Sequence, residues 1–179
     1  MLTNMIVLVG GVAGSGKSTV GRMIAGRLHW PFADADSFHP EENIAKMRAG
    51  IPLTDADRGP WLAAITAWMD ARIAAGESAV AGCSALKQRY RDDLLAGRPA
   101  CRLAFLEISR ELAHKRLAAR QDHFFTAQLM DSQFAALEPP RETQQVIVVD
   151  AAASADQMAT EIIDRLGLAD SSAARAGGA

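Results

Sequence analysis

The stretch MIVLVGGVAGSGKS, residues 5–18, decides the fold of this chain. Residues 5–10 form a short continuous apolar run, which predicts a strand that is buried on both faces. Residues 11–18 follow at once and satisfy the pattern G-x-x-x-x-G-K-[ST]. Helical spacing of apolar residues begins directly behind them, at Val20, Ile24 and Leu28. A strand, a glycine-rich turn and a helix in this order predict a phosphate-binding loop.

The composition of this loop has a physical basis. Gly11, Gly14 and Gly16 let the backbone curl so that consecutive N–H groups point inward at phosphate oxygens. The helix that follows adds the partial positive charge of its N-terminus. Lys17 is expected to reach the β- and γ-phosphates, and the Ser18 hydroxyl is expected to ligate Mg²⁺. The predicted nucleotide-binding residues of the loop are Gly11, Val12, Ala13, Gly14, Ser15, Gly16, Lys17, Ser18 and Thr19.

Outward from the loop, short apolar runs alternate with longer helical patterns. Strands are predicted at residues 5–10, 32–36, 78–83, 102–108 and 145–149. Helices are predicted at residues 18–28, 60–75, 87–95, 109–120 and 154–167, and residues 37–50 are compatible with a helix. This alternation requires right-handed crossovers and gives a parallel sheet that is covered on both faces. The predicted fold class is therefore α/β, with three layers and a five-stranded parallel sheet.

Composition bounds the class of protein. A length of 179 residues fits one domain, predicted over residues 1–168, and residues 169–179 are predicted to be a mobile tail. Nineteen Lys and Arg against 21 Asp and Glu give a net charge of −2, which argues against a general nucleic-acid binder. No apolar stretch reaches the ~20 residues that a membrane span needs, so the expected location is the cytoplasm. The two cysteines, Cys83 and Cys101, lie in apolar strands and are predicted to be buried free thiols.

Asp34 and Asp36 follow the second predicted strand. Ligands of open parallel sheets bind outside the carboxyl ends of the strands, beside the loop already assigned to phosphate. Two carboxylates at i and i+2 of an extended segment point the same way, so they could share a hydrated Mg²⁺ and a substrate hydroxyl. We predict a catalytic and substrate-binding role for Asp36, and a metal-binding role for Asp34 beside Ser18. The alternative is that one of them caps a helix that begins near Phe38.

Four stretches together resemble the bacterial gluconokinase family. They are GVAGSGKS at 11–18, DADSFHPEENIAKMRAGIPLTDADRGPWL at 34–62, CSALKQRYRD at 83–92, and RLAARQDHFF at 116–125 with QFAALEPP at 133–140. The resemblance runs in order from about residue 6 to about residue 166. One departure is that Ala35 and Ser37 flank Asp36, where bulkier or different neighbours are common in relatives. Both carboxylates are nevertheless in place.

The resemblance implies an activity and an architecture. The expected reaction is ATP-dependent phosphorylation of the 6-hydroxyl of D-gluconate, which gives 6-phosphogluconate and ADP, with Mg²⁺ as the metal. The expected fold is of the nucleoside-monophosphate-kinase type, with a substrate-covering segment at about residues 37–60 and a lid at about residues 117–140. The expected partner is the small-molecule substrate, with neither nucleic acid nor membrane, and the dimers common among relatives suggest a possible homodimer.

Several side chains outside the loop fit a polyhydroxy carboxylate as substrate. His39, Arg58, Lys87 and Arg91 are predicted to bind it together with Asp36. Lys87 and Arg91 are spaced i, i+4 and would share one helical face. An arginine fork binds a carboxylate bidentately, and a lysine supplies a compact second charge. The alternatives are solvated surface cations and, for His39, a side chain that braces the turn at Pro40.

Arg116 and Arg120 form a second i, i+4 pair, at the end of the helix after the fourth strand. In related kinases, lid arginines close over the nucleotide and stabilise charge on the transferring phosphoryl group. Both are predicted to bind the nucleotide, and Arg120 joins Lys17 and Asp36 as a predicted catalytic residue. The alternative is that they are basic residues placed favourably at a helix C-terminus.

Two other functions compete with gluconate phosphorylation. A shikimate-type kinase would also place paired aspartates after its second strand, but strand three here ends in CSALK rather than in a glycine-rich substrate loop. A nucleotide-binding regulatory module would use the phosphate loop as a switch and would not phosphorylate a small acid. The acidic net charge and the polar set suited to a polyol disfavour it.

Overall fold

The computed structural model describes residues 4–119 and 126–168 of the chain. Five parallel strands of this described part form one sheet in the order β2-β3-β1-β4-β5, which confirms the predicted α/β class. β1 lies in the centre, with Ile6 opposite Ala79 of β3 on one side and Cys101 of β4 on the other. The strands are β1 Ile6–Gly10, β2 Phe32–Asp34, β3 Ala79–Gly82, β4 Cys101–Glu107 and β5 Val146–Asp150.

Helices cover both faces of the sheet. Alternate residues of β1 point to opposite faces. Ile6 and Leu8 pack with Ile65 in one cluster, whereas Val7 and Val9 pack with Ile24 in a second cluster on the other face. The helices are α1 Lys17–Leu28, α2 Glu41–Arg48, α3 Asp55–Ala74, α4 Gln88–Leu95, α5 Arg110–Ala118, α6 Ala127–Ala136 and α7 Ala155–Arg165.

The start of α3 differs from the prediction. The helix was expected to begin at Pro60, but it begins at Asp55, and Pro60 lies inside it. The reason is a capping box, in which the Thr54 side chain accepts from the Asp57 N–H and the Asp57 carboxylate accepts from the Thr54 N–H. This box satisfies the free N–H groups of the first turn five residues earlier than the proline suggested.

The segment after β2 also differs from the prediction. β2 ends at Asp34, and a short 3₁₀ helix, Ala35–Phe38, follows, so Asp34 and Asp36 do not lie on one extended segment. Asp34 Oδ1 accepts from the Asp36 N–H at 3.0 Å, and the Ser37 hydroxyl donates to the Asp34 carbonyl at 2.6 Å. Such local side-chain bonds compete with the extended backbone and turn the chain here. Asp34 is thus a helix cap, the role left open for one of the two aspartates.

The two cysteines lie where the sequence predicts them. Cys83 and Cys101 are free and buried, as predicted, and burial raises the pKa of their thiols to about 12 and about 11 respectively. Among the described residues, no helix is both long and apolar enough to cross a membrane. The predicted tail at 169–179 and the part of the predicted lid at 120–125, which includes Arg120, lie outside the described residues.

Candidate active site

A cavity of about 340 Å³ lies at the carboxyl ends of β1, β2 and β3. The phosphate loop forms its floor, and the segment after β2 together with α3 forms one wall. The loop before α4 and one face of α6 close the rest. The described residues that carry polar or aromatic groups into its lining are Lys17, Ser18, Asp36, His39, Arg58, Trp61, Ser84, Tyr90, Ser132 and Gln133.

The phosphate loop has the backbone that its glycines predict. Gly11, Gly14 and Gly16 have φ angles of 133°, 80° and 102°, a region that side chains disfavour. A Cβ at Gly11 would also lie 2.7 Å from the Leu106 carbonyl oxygen, so only glycine fits there. Lys17 Nζ donates to the Val12 carbonyl at 3.1 Å, which folds this side chain back over the loop. The loop thus has the concave form that cradles a polyphosphate.

Ser18 and Asp34 lie side by side at the edge of the loop. The Ser18 hydroxyl donates to Asp34 Oδ2 at 3.0 Å. A hydroxyl and a carboxylate are hard oxygen donors of the kind that Mg²⁺ prefers. No cluster of three His, Cys, Asp or Glu side chains in the described residues could hold a metal by itself. The residues present therefore fit a magnesium ion that takes most of its ligands from phosphate oxygens and water.

Asp36 lines the cavity near Lys17 of the phosphate loop, close enough for the two charges to interact. Partial desolvation by the surrounding protein raises the pKa of its carboxylate above the ordinary value, although the residue is exposed to solvent through the cavity. The positive charge of Lys17 opposes this shift, and the negative charge of Asp34 adds to it. A carboxylate with a raised pKa beside a phosphate site is suited to accept a proton from an attacking hydroxyl.

His39 is held as a neutral imidazole. Its ring stacks on Trp61, with centroids 4.6 Å apart and planes 5° from parallel, and its Nδ1 lies 3.2 Å from the amide nitrogen of buried Asn43. That amide nitrogen is a donor, so Nδ1 accepts and the proton is on Nε2. Burial, and then the nearby charge of Arg58, lowers the pKa of His39 to about 4. The ring therefore offers one N–H donor to the cavity at neutral pH.

Arg58 is the predicted substrate cation that the structure brings to the cavity. Its Nη1 donates to the Leu53 carbonyl at 2.9 Å, and its guanidinium lies 5.9 Å from the centre of the Tyr90 ring. Within the described residues, no protein acceptor holds its Nε or Nη2. These two N–H groups form the edge of the guanidinium that can bind a carboxylate bidentately.

Lys87 belongs to a cluster at the side of the cavity. It precedes α4 as its cap residue, and its Nζ donates to both oxygens of Asp55, at 2.9 and 3.1 Å. The Tyr90 hydroxyl donates to the same carboxylate, and Arg89 lies 3.2 Å from it. These donors lower the pKa of Asp55, the hydrogen bond from Tyr90 most strongly. Lys87 is not among the described residues that line the cavity. Tyr90 does line it, and it shares the Asp55 carboxylate with Lys87.

Arg91 lies apart from Lys87 and outside the described lining of the cavity. Its side chain is buried, and it donates to the carbonyls of Ala85, Leu86 and Glu138 at 2.8 to 3.0 Å. Burial lowers the pKa of its guanidinium. The structure thus separates the two members of the predicted i, i+4 pair and places Arg91 where it joins the loop before α4 to the segment after α6.

Known proteins share the sequence of this chain over most of its length. A family model described as shikimate kinase matches residues 13–167. A gluconokinase of Gluconobacter oxydans is 41% identical over 157 residues, which cover 88% of this chain and 88% of the relative. The thermoresistant gluconokinase of Escherichia coli is 42% identical over 146 residues, 81% of this chain and 83% of the relative. This chain belongs to the gluconokinase family.

Solved structures support the same placement. An unliganded sugar kinase from Janibacter has a TM-score of 0.87 at 42% identity, and the match covers 93% of this chain and 96% of that one. A gluconokinase from Sinorhizobium meliloti has a TM-score of 0.83 at 41% identity, with 93% of each chain covered. A shikimate kinase from Aquifex aeolicus, at 15% identity and a TM-score of 0.61, shares the fold. This member of the gluconokinase family is thus a phosphotransferase with a P-loop kinase fold.

Arg116 of this gluconokinase-family chain braces the phosphate loop. Its guanidinium donates to the Gly14 and Ser15 carbonyls at 3.3 and 3.4 Å and to the Ala151 carbonyl at 2.6 Å. The predicted contact of Arg116 with the nucleotide remains a prediction. Its partner Arg120 lies outside the described residues.

One wall of the cavity comes from a helix whose side chains were not among the predicted site residues. Leu129, Ser132, Gln133 and Ala136 lie on one face of α6 and line the cavity. Gln133 Oε1 accepts from the Ala13 N–H at 2.7 Å. The stretch QFAALEPP had carried the family resemblance, but nothing in its local pattern indicates a contact across 120 residues of chain.

Proposed function

We propose that this enzyme transfers the terminal phosphoryl group of ATP to the 6-hydroxyl of D-gluconate, giving 6-phosphogluconate and ADP. The observation that carries this proposal is one cavity with two ends of different chemistry. Lys17 and Ser18 form a phosphate-binding end, and Arg58, His39 and Asp36 form an acceptor end. The relatives with about 40% identity that are named gluconokinases give the acceptor its identity.

The acceptor end suits a small polyhydroxy acid. The unpartnered edge of Arg58 in the described structure is proposed to bind the gluconate carboxylate. The Nε2–H of neutral His39 is proposed to donate to a hydroxyl of the chain. Lys87 is proposed to support the cavity wall, because its Nζ donates to Asp55, which also accepts from the wall residue Tyr90. Arg91 is proposed to shape the loop before α4, since its Nη1 and Nη2 groups already donate to backbone carbonyls.

The transfer itself needs one proton acceptor and one source of positive charge. The 6-hydroxyl oxygen forms the new bond to the γ-phosphorus while the bond to the bridging oxygen of ADP breaks, and Asp36 accepts the hydroxyl proton. Lys17 stabilises the negative charge on the transferring group. Ser18 and Asp34 would hold a magnesium ion, which supplies charge neutralisation of the phosphates when bound. Arg120 stays a predicted lid residue that would also stabilise the negative charge on the transferring phosphoryl group.

A coupled assay of ADP release tests the function with gluconate, shikimate, glycerate or water as acceptor. Gluconate is expected to give the highest kcat/KM by a wide margin. Preference for shikimate would make the chain a shikimate-type kinase instead. Nucleotide binding without release of ADP above the water control would support the regulatory module.

A further inference from the structure

Gln133 holds the phosphate loop from the side that faces α6. Its Oε1 accepts from the Ala13 N–H at 2.7 Å, and the Val12 carbonyl of the same peptide unit accepts from Lys17 Nζ at 3.1 Å. The carbonyl and the N–H of a trans peptide point in opposite directions. Lys17 and Gln133 therefore stand on opposite edges of one peptide plane, and both line the cavity.

The orientation of this amide is fixed by its partner. The Ala13 N–H can only donate, so the Gln133 oxygen must face it and the Nε2 amino group must face away. In the described part of the chain, no protein group accepts from Nε2. Gln133 is half-buried on the face of α6 that lines the cavity. The structure thus presents a neutral N–H donor beside the loop whose ligand is a polyphosphate.

We propose that Gln133 is a binding residue for the terminal phosphoryl group: Oε1 holds Ala13 of the phosphate loop while Nε2 donates to an oxygen of the γ-phosphate. The inference rests on the proposed use of ATP and extends it to a residue of α6. Gln133 would therefore distinguish ATP from ADP, because ADP lacks the γ-phosphate that Nε2 contacts. It also makes α6 responsive to the presence of that phosphate, since the contact joins the helix to the nucleotide.

Gln133→Glu is the sharpest test, because a carboxylate of the same shape still accepts from the Ala13 N–H but cannot donate. Isothermal titration of the full chain with ADP and with a non-hydrolysable imido-linked ATP analogue measures both affinities in the presence of Mg²⁺. We expect the triphosphate analogue to bind about tenfold to a hundredfold more weakly, because a donor to a charged group is lost and a negative charge is added. ADP affinity is expected to change by less than about threefold.

Gln128→Glu is the matched control, because it places the same charge change on an exposed position of the same helix. It should leave both nucleotide affinities near those of the unmodified chain. Gln133→Ala removes both the tether and the donor, and its melting temperature reports the structural part of the effect. Near-normal binding of the triphosphate analogue by Gln133→Glu, or equal losses for ADP and the analogue, would overturn the proposal. No acceptor is present in these titrations, so they stay separate from a failure to phosphorylate gluconate.

Discussion

The two ends of the cavity are built in different ways. The phosphate-binding end is one continuous piece of chain, in which β1 leads into the loop and the loop leads into α1. The acceptor end is assembled from short pieces, namely the 3₁₀ helix Ala35–Phe38, α2 and the first turns of α3. The first is shaped by backbone conformation, and the second is shaped by side chains that bind one another across gaps in sequence.

Asn43 and Asp57 show how the acceptor end is held. Asn43 is buried, and its amide nitrogen reaches both His39 Nδ1 and the Asp57 carbonyl. Lys46 Nζ donates to the Asp57 carboxylate at 2.7 Å, which contributes most to lowering the pKa of Asp57 to about 2. Single substitutions are therefore expected to damage the two ends differently: charge stabilisation at the phosphate end, and proton transfer or affinity for the acceptor at the other.

Asp36→Asn is expected to have the largest effect. It removes the proposed proton acceptor while keeping the shape of the side chain, so kcat should fall by roughly 10²- to 10⁴-fold with MgATP affinity within a few fold. Asp34→Asn should also lower kcat, but added Mg²⁺ should recover part of it, because Asp34 lies beside Ser18. Turnover of both variants across a Mg²⁺ titration is the measurement. Rescue of Asp36→Asn and not of Asp34→Asn would mean that the two roles are exchanged.

Lys17→Ala tests the phosphate end alone. The lost charge should lower kcat by roughly 10²- to 10³-fold, while the melting temperature changes little. The KM for gluconate should stay close to normal, because the proposed acceptor contacts come from Arg58 and His39 and not from Lys17. Steady-state kinetics in both substrates, with thermal unfolding alongside, checks the separation. Near-normal turnover would remove the phosphate-loop assignment.

Arg58→Ala and Arg91→Ala sharpen the division within the acceptor end. Arg58→Ala should raise the KM for gluconate by about 10- to 100-fold and leave ATP binding unchanged, because a bidentate carboxylate contact is lost. Arg91→Ala should instead lower the free energy of unfolding by about 3 kcal/mol, because three backbone carbonyls lose a charged donor. Steady-state kinetics and urea unfolding of both variants measure whether each arginine acts on gluconate binding or on stability. An Arg91→Ala chain of full stability and raised KM would return this arginine to the substrate.

His39 should give the smallest effect, and it is visible in the pH dependence of stability. Its pKa of about 4 lies below the ordinary value, so the unfolded chain takes up the proton first as the pH falls. The contribution of neutral His39 to folding is thus full above about pH 6.5 and is lost towards pH 4. Between pH 7 and pH 5, the free energy of unfolding should fall by about 1 kcal/mol more in the unmodified chain than in His39→Gln. Equal slopes would mean that the ring is free to protonate.

The two ends also differ in how far the sequence predicts them. The strand, loop and helix at residues 5–28 follow from apolar runs and glycine spacing, and the parallel sheet follows from their repetition. Asp36 and Arg58 both line the cavity, as the sequence predicted for substrate-binding residues, and their roles in binding and catalysis stay predictions. The prediction that Asp34 and Asp36 lie on one extended segment was wrong, because the Asp34 side chain accepts from the Asp36 N–H and turns the backbone there.

Arg91 and Gln133 show where sequence reasoning stops. Helical spacing put Arg91 beside Lys87, but burial sends its guanidinium to the Glu138 carbonyl, 47 residues away. Gln133 acquires its place at the phosphate loop only through the packing of α6. In both cases the deciding partner is a backbone group, which every residue type has, so no residue type in the sequence marks it. Contacts of this kind have to be seen in three dimensions.

The brace at Arg116 bears on how this protein is made. One guanidinium joins the phosphate loop, the first loop between described elements, to Ala151, near the end of the described part of the chain. A chain grows from its N-terminus on the ribosome, so the phosphate loop is synthesised long before its last support. A nascent chain that ends before Ala151 lacks both that carbonyl and α7. The complete brace of the phosphate loop therefore forms only after Ala151 has been synthesised, late in the growth of the chain.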